Sequence, residues 1–178
     1  MSLRISFELD EDDLKHFRLI MEEARKAASR KSPEDIVAAA ESLLLNVSGT
    51  KAPGFIVERL TKLQLMIGML SDIEWRLPQK DAVRVLNALA YFCEPEDLIP
   101  DTVPGLGFLD DAIMIELVVR ELRHEIDAYE DFCDYRERLK REHGDGAKVS
   151  RGGWLDDRRK SLQSRMRRRR KVRPGLLR

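Results

Sequence analysis

The sequence predicts an all-α protein, a bundle of five or six helices with one short N-terminal β-strand and a basic C-terminal tail. Three observations carry this. Apolar residues recur at three- and four-residue spacing through most of the chain, the signature of helices with one buried stripe. Runs of alternating apolar residues are almost absent. Charged residues make up 36% of the chain and hydrophobic residues 43%, a mixture that suits helices with solvated outer faces around one core. At 178 residues the chain is one domain, or one domain with appendages.

Leu3, Ile5, Phe7 and Leu9 alternate with Arg4, Ser6 and Glu8, a short half-buried strand pattern. Asp10 to Asp13 then supply a capped, acid-rich helix start. The helix runs to about Ser29, with Leu14, Phe17, Ile20, Met21 and Ala24 on one face. Ser32 as N-cap, Pro33 in the first helical position and Asp35 two residues further on open a second helix, ended by Gly49. A third spans about Phe55 to Leu77, with Ile56, Leu60, Leu63, Ile67, Leu70 and Ile73 in a four-three rhythm, and Pro78 stops it. The next covers Asp81 to Cys93, buried through Val83, Leu86, Leu89, Ala90 and Phe92. The last, about Asp110 to His143, carries the stripe Phe108, Ala112, Ile115, Val119, Leu122, Ile126, Tyr129 and Cys133. Gly144-Asp145-Gly146 ends it, and Gly152-Gly153 loosens the chain again. The expected organisation is a helical domain over 1–147, with a strand-helix-helix appendage at 1–52 and a core at 53–147, followed by a flexible basic tail at 148–178.

Between the last two helical patterns lies Pro95-Glu96-Asp97-Leu98-Ile99-Pro100-Asp101-Thr102-Val103-Pro104-Gly105-Leu106-Gly107-Phe108-Leu109-Asp110-Asp111. Proline blocks helix continuation and glycine opens backbone angles that other residues avoid, so the chain must turn here. The turn is apolar and acid-studded, unlike an ordinary polar loop. Ala90-Tyr91-Phe92, Pro95, Asp97-Leu98-Ile99-Pro100-Asp101, Pro104, Gly107 and Leu109-Asp110-Asp111 resemble the signature of the YkvA-like family of bacterial domains. The resemblance covers about residues 83–120. It departs at Cys93-Glu94 and Glu96, where such sequences more often read Ser-Pro-Ile, and Glu96 makes this copy more acidic. It implies a small helical domain and, in some members, membrane association. It implies no particular activity.

Charge divides the chain sharply. Residues 1–147 hold 19 Lys+Arg against 30 Asp+Glu, a net −11, and residues 148–178 hold 13 against 2, a net +11. An acidic body with a basic tail points to an anionic partner for the tail, or to the tail docking on its own body. The residues that would neutralise phosphate are Arg158, Arg159, Lys160, Arg165, Arg167, Arg168, Arg169, Arg170 and Lys171. Trp154, Leu155, Leu162 and Met166 would form the weak apolar edge of an amphipathic helix, which suits an anionic membrane surface.

Asp97, Asp101, Asp110 and Asp111 around one tight turn form a candidate site for Mg²⁺ or another divalent cation, since such ions take oxygen ligands. The competing role is structural, with Asp110 and Asp111 capping a helix start and opposing its dipole. Residues 3–9 have no visible partner strand, which predicts a homodimer paired through them. Followed by two helices, that strand is also the layout of a ribbon-helix-helix DNA-binding module, although Glu8 would sit badly against DNA. His16, His124 and His143 are scattered, and His124-Glu125 lacks the second histidine of a zinc-protease helix. Cys93 and Cys133 match no zinc spacing and read as reduced core thiols. Met1-Ser2-Leu3-Arg4 opens no signal peptide, and no apolar run approaches a membrane span.

The function expected is that of a non-catalytic interaction or regulatory module whose tail binds anionic partners or a membrane surface, in the cytoplasm or peripheral at the inner membrane. A divalent-metal-dependent enzyme or metal sensor built on the four aspartates, and a nucleic-acid-binding protein built on the tail, are the alternatives.

Overall fold

The computed structural model describes residues 8–49, 51–93 and 108–172, the side chains of 170–172 excepted. The described residues are all-α. Seven α-helices follow one another: α1 (Glu11–Ala28), α2 (Pro33–Ser48), α3 (Gly54–Ser71), α4 (Gln79–Leu89), α5 (Leu109–Glu121), α6 (Arg123–His143) and α7 (Arg151–Val172), with a 3-10 turn at Ala90–Cys93. No strand occurs among the described residues. Residues 3–7, on which the predicted strand, the dimer and the DNA-binding ribbon depend, lie outside them, as do Asp97 and Asp101.

The helix starts follow from local chemistry. The Asp10 carboxylate accepts the Asp12 and Asp13 N–H groups, both at 2.9 Å, while Asp13 accepts the Asp10 N–H at 3.1 Å. Ser32 and Asp35 form the same reciprocal box, at 3.1 and 3.3 Å. These boxes satisfy donors that a helix start otherwise leaves open.

The chain divides into two compact units. One comprises residues 1–70 and 77–126, the other 71–76 and 127–178. In the first unit Leu63, Met66, Val85, Leu89, Met114, Ile115 and Val118 have no exposed surface. Helices α1 and α2 both pack on the 3-10 turn. The Arg25 guanidinium ties three helices together: it reaches Glu121 of α5 at 2.7 Å and the Asn87 carbonyl of α4 at 3.1 Å. Lys31 donates to the Cys93 carbonyl at 2.9 Å.

Among the described residues seven helices stand where five or six are expected, for two reasons. The predicted Asp110–His143 helix is two helices, because Leu122 leaves helical geometry at φ −101° and ψ 17°. No proline or glycine marks this break. The Leu122 N–H still reaches the Val118 carbonyl at 2.9 Å, and the Leu122 carbonyl accepts from Ile126 at 3.0 Å, so the ladder bends without being cut. Within the expected tail, residues 151–172 form α7.

The third helix also ends early, at Ser71 rather than about Leu77. Asp72 turns the chain, its Oδ1 accepting the Glu74 and Trp75 N–H groups at 2.9 and 3.0 Å. Ile73, expected on the buried stripe, is therefore 82% exposed, and Trp75 takes the buried place at 1%. Val83 is also exposed, its neighbour Val85 facing the core of the first unit instead.

Candidate functional site

The second unit is built on aromatic residues. Tyr129, Phe132 and Tyr135 of α6 follow at three-residue spacing, and Trp75 joins them from the Asp72 turn. The Trp75 ring lies 5.5 Å from Tyr129, 5.1 Å from Phe132 and 5.4 Å from Trp154 of α7, centroid to centroid. The Arg151 guanidinium lies over the Trp75 ring, 4.5 Å from its centre. Trp75 Nε1 has no hydrogen-bond partner among the described residues, so packing rather than polar bonding holds the ring. Ring pairs of this kind contribute about 0.5–1.5 kcal/mol each beyond the area they bury.

A charged cluster lies beside the rings. Arg136 donates to Asp72 at 2.7 Å and to Glu74 at 2.9 Å, and the Tyr129 hydroxyl donates to Asp72 at 2.9 Å. Burial opposes ionisation of Asp72. The Trp75 N–H, Arg136 and Tyr129 bonds outweigh it and hold this carboxyl below its ordinary value of 3.8. The Tyr129 hydroxyl is pushed the other way, first by burial and then by its bond to the Asp72 carboxylate.

This framework docks the start of α7. Ser150 caps the helix, its hydroxyl accepting the Gly153 N–H at 3.2 Å. The Arg151 N–H donates to the Glu74 carbonyl at 3.2 Å. Gly153 lets the Tyr135 side chain approach closely, since a Cβ there would lie 3.0 Å from the Tyr135 hydroxyl. Trp154 Nε1 donates to Asp131 at 2.6 Å, and the Arg158 guanidinium pairs with the same carboxylate. Arg138 of α6 reaches Asp157 at 2.9 Å.

From Leu162 to Arg169 every side chain is exposed. No acidic residue follows Asp157 anywhere in the chain. Of the predicted anion-binding residues, Arg158 is paired with Asp131, and Arg159 reaches Asp156 at 3.5 Å across one helical turn. Lys160, Arg165, Arg167, Arg168 and Arg169 stand exposed. The backbone of α7 continues through Arg170 and Lys171, whose side chains lie outside the described residues. Trp154 does not belong to the apolar edge predicted for this helix, because its ring is buried against Trp75 and Phe132. Trp75, Asp72, Arg136 and Asp131, which organise the unit, carry no motif. The signals available for them were Trp154 in an otherwise charged stretch and the aromatic spacing of α6.

Of the four candidate metal-binding aspartates, Asp110 and Asp111 come together in the first turn of α5, with 1% and 7% of their surface exposed. The N-cap position there belongs to Phe108, which has a left-handed backbone at φ 64° and makes no side-chain cap bond. The aspartates occupy the second and third helical positions, where the positive end of the helix dipole favours negative charge. Among the described residues no three His, Cys, Asp or Glu side chains converge on a common point. Beside this turn the first unit holds an open cleft of about 400 Å³, walled by Phe55, Leu109, Ile113 and Leu117. Three of its charged groups bind one another: Glu116 takes Arg59 at 3.4 Å and Arg120 at 3.1 Å.

Residues 82–117 thus contribute most of α4, the 3-10 turn and most of α5, whose first turn carries the paired aspartates. They match the family described as "Protein of unknown function (DUF1232)". This chain carries a YkvA-like domain. A Bacillus subtilis (strain 168) relative named "Uncharacterized membrane protein YkvA" is 42% identical over 51 residues, which cover 29% of this chain and 48% of the relative. The match therefore spans about half the length of that relative. No solved structure matches the chain. Residues 82–117 lie within the first unit, so the aromatic cluster and α7 lie outside the family match. No described helix is long and apolar enough to cross a membrane.

Proposed function

We propose that this YkvA-like protein is a non-catalytic interaction module that holds an anionic partner on the distal half of α7. One observation carries the reading. From residue 158 onward the chain has arginine and lysine but no acid, and the described side chains from Leu162 to Arg169 are all exposed. Like charges three and four residues apart destabilise a helix. An anionic surface relieves this repulsion and releases counterions, so binding and helix order reinforce each other.

The test is binding to heparin at increasing salt. The unmutated chain binds at low salt, and its affinity falls steeply as salt rises. Changing Arg165, Arg167, Arg168 and Arg169 together to Gln removes most of the binding and flattens the salt dependence. These four are the right targets because Trp154 and Arg158 hold α7 to its own unit. Truncation before Trp154 would disturb folding, whereas the four substitutions leave the aromatic cluster untouched. Equal binding by the substituted and unmutated chains refutes the proposal.

A further inference from the structure

We infer that α7 takes as its partner an anionic phospholipid surface, lying along it with Leu155, Leu162 and Met166 inserted among the headgroups. This rests on the anion-binding role of α7 and names what it binds.

At about 100° per residue, Leu155, Leu162 and Met166 fall within about 40° of one another around the helix. They are 48%, 54% and 56% exposed, a narrow apolar stripe along three turns. Trp154 lies about 100° away on the same wheel and fixes the docked side of the helix, so the stripe is not the face held by the aromatic cluster. Arg159 and Arg169 flank the stripe on opposite sides, each about 40° from its centre, and Arg165 lies further round. Guanidinium groups so placed keep their stems along the apolar boundary and their heads at phosphate level. A polyanion such as RNA needs the arginines and has no use for three exposed aliphatic side chains on one line. A bilayer surface uses both, the headgroups answering the charge and the acyl boundary the stripe. Three side chains are too few to hold the helix on a neutral bilayer, so anionic lipid is required.

The experiment compares the full chain with a Leu162→Ser, Met166→Ser double variant. Both are measured on vesicles of equimolar phosphatidylglycerol and phosphatidylcholine, on pure phosphatidylcholine vesicles and on heparin. Both side chains are exposed, so the double variant retains the fold. The unmutated chain sediments with the anionic vesicles and not with the neutral ones. The double variant partitions about tenfold more weakly onto the anionic vesicles. Its heparin affinity stays within about twofold, because the charges are intact. Equal vesicle binding by the two proteins overturns the inference. So does a chain that binds heparin or RNA but no vesicle, which leaves the anion-binding role standing. A chain that binds neither heparin nor vesicles overturns both.

Discussion

Arg158 and Arg165 are two turns apart on α7, alike in charge and in helical surroundings. The first pairs with Asp131 of α6, next to a Trp154 ring packed edge-to-face against Trp75. The second is exposed, in a stretch with no acid to meet it. The proximal half of α7 thus has Arg158 neutralised and its tryptophan buried. The distal half offers charge and a thin apolar stripe outward. Net charge along a segment therefore overstates what is available for binding, because a folded unit neutralises some of it internally and leaves the rest.

The contrast breaks most visibly at Trp75. Replacing this ring with Ala removes the contact shared by Tyr129, Phe132 and Trp154, and should cost about 3–5 kcal/mol in denaturant unfolding of the second unit. Near-ultraviolet dichroism should weaken with it. If stability barely changes, the proximal half of α7 is not anchored there.

Asp72 comes next. Asp72→Asn leaves Arg136 with Glu74 alone and weakens the turn, an expected loss of about 2 kcal/mol. Its folded-state pKa is depressed, so its stabilisation is fully present above the ordinary value of 3.8 and disappears as pH falls through the lower folded value. Urea midpoints measured down the acid range should show a shallower fall for the Asn variant than for the unmutated protein. Parallel curves would mean that Asp72 titrates as in the unfolded chain.

Arg158 sharpens the comparison. Its pair with Asp131 is partly exposed, so Arg158→Gln should lower stability by no more than about 1 kcal/mol. Heparin affinity should scarcely change, because this charge is already neutralised. Arg165→Gln should do the reverse, lowering heparin affinity and its salt slope while leaving the thermal midpoint in place. A larger affinity loss at Arg158 than at Arg165 would invert the division of labour.

The smallest effect belongs to Leu162. With its side chain 54% exposed, Leu162→Ala should shift stability by less than about 0.5 kcal/mol. A larger loss in a thermal melt would mean that the distal half is packed rather than free.

Several features were legible because they rest on neighbours in the chain. Asp10 and Ser32 cap their helices through bonds spanning three residues, and the capping residues themselves announce them. Of the predicted stripe, Phe108, Ala112, Ile115, Leu122, Ile126 and Tyr129 are buried, whereas Val119 and Cys133 are only half-buried and their neighbours Val118 and Phe132 take the core positions. The Asp-Leu-Ile-Pro-Asp and Asp-Asp spacing pointed to the YkvA-like segment. Other features were silent. The apolar rhythm continued to Ile73, yet the chain turns at Asp72 because that carboxylate takes the Glu74 and Trp75 N–H groups, and an aspartate inside a helical pattern does not disclose this choice. Leu122 bends the chain with no residue that marks a break.

The sequence by itself determined the all-α class, the capped starts of α1 and α2, the YkvA-like segment and the segregation of charge, since composition, periodicity and capping are short-range properties. Only the tertiary structure decided that residues 151–172 form a helix, that Trp154 docks on Trp75 and that Asp131 neutralises Arg158. Those outcomes depend on residues 71–76 and α6 meeting residues 150–158. No local pattern records such a meeting, because the free energy that orders the proximal half of α7 comes from rings and carboxylates far away along the chain.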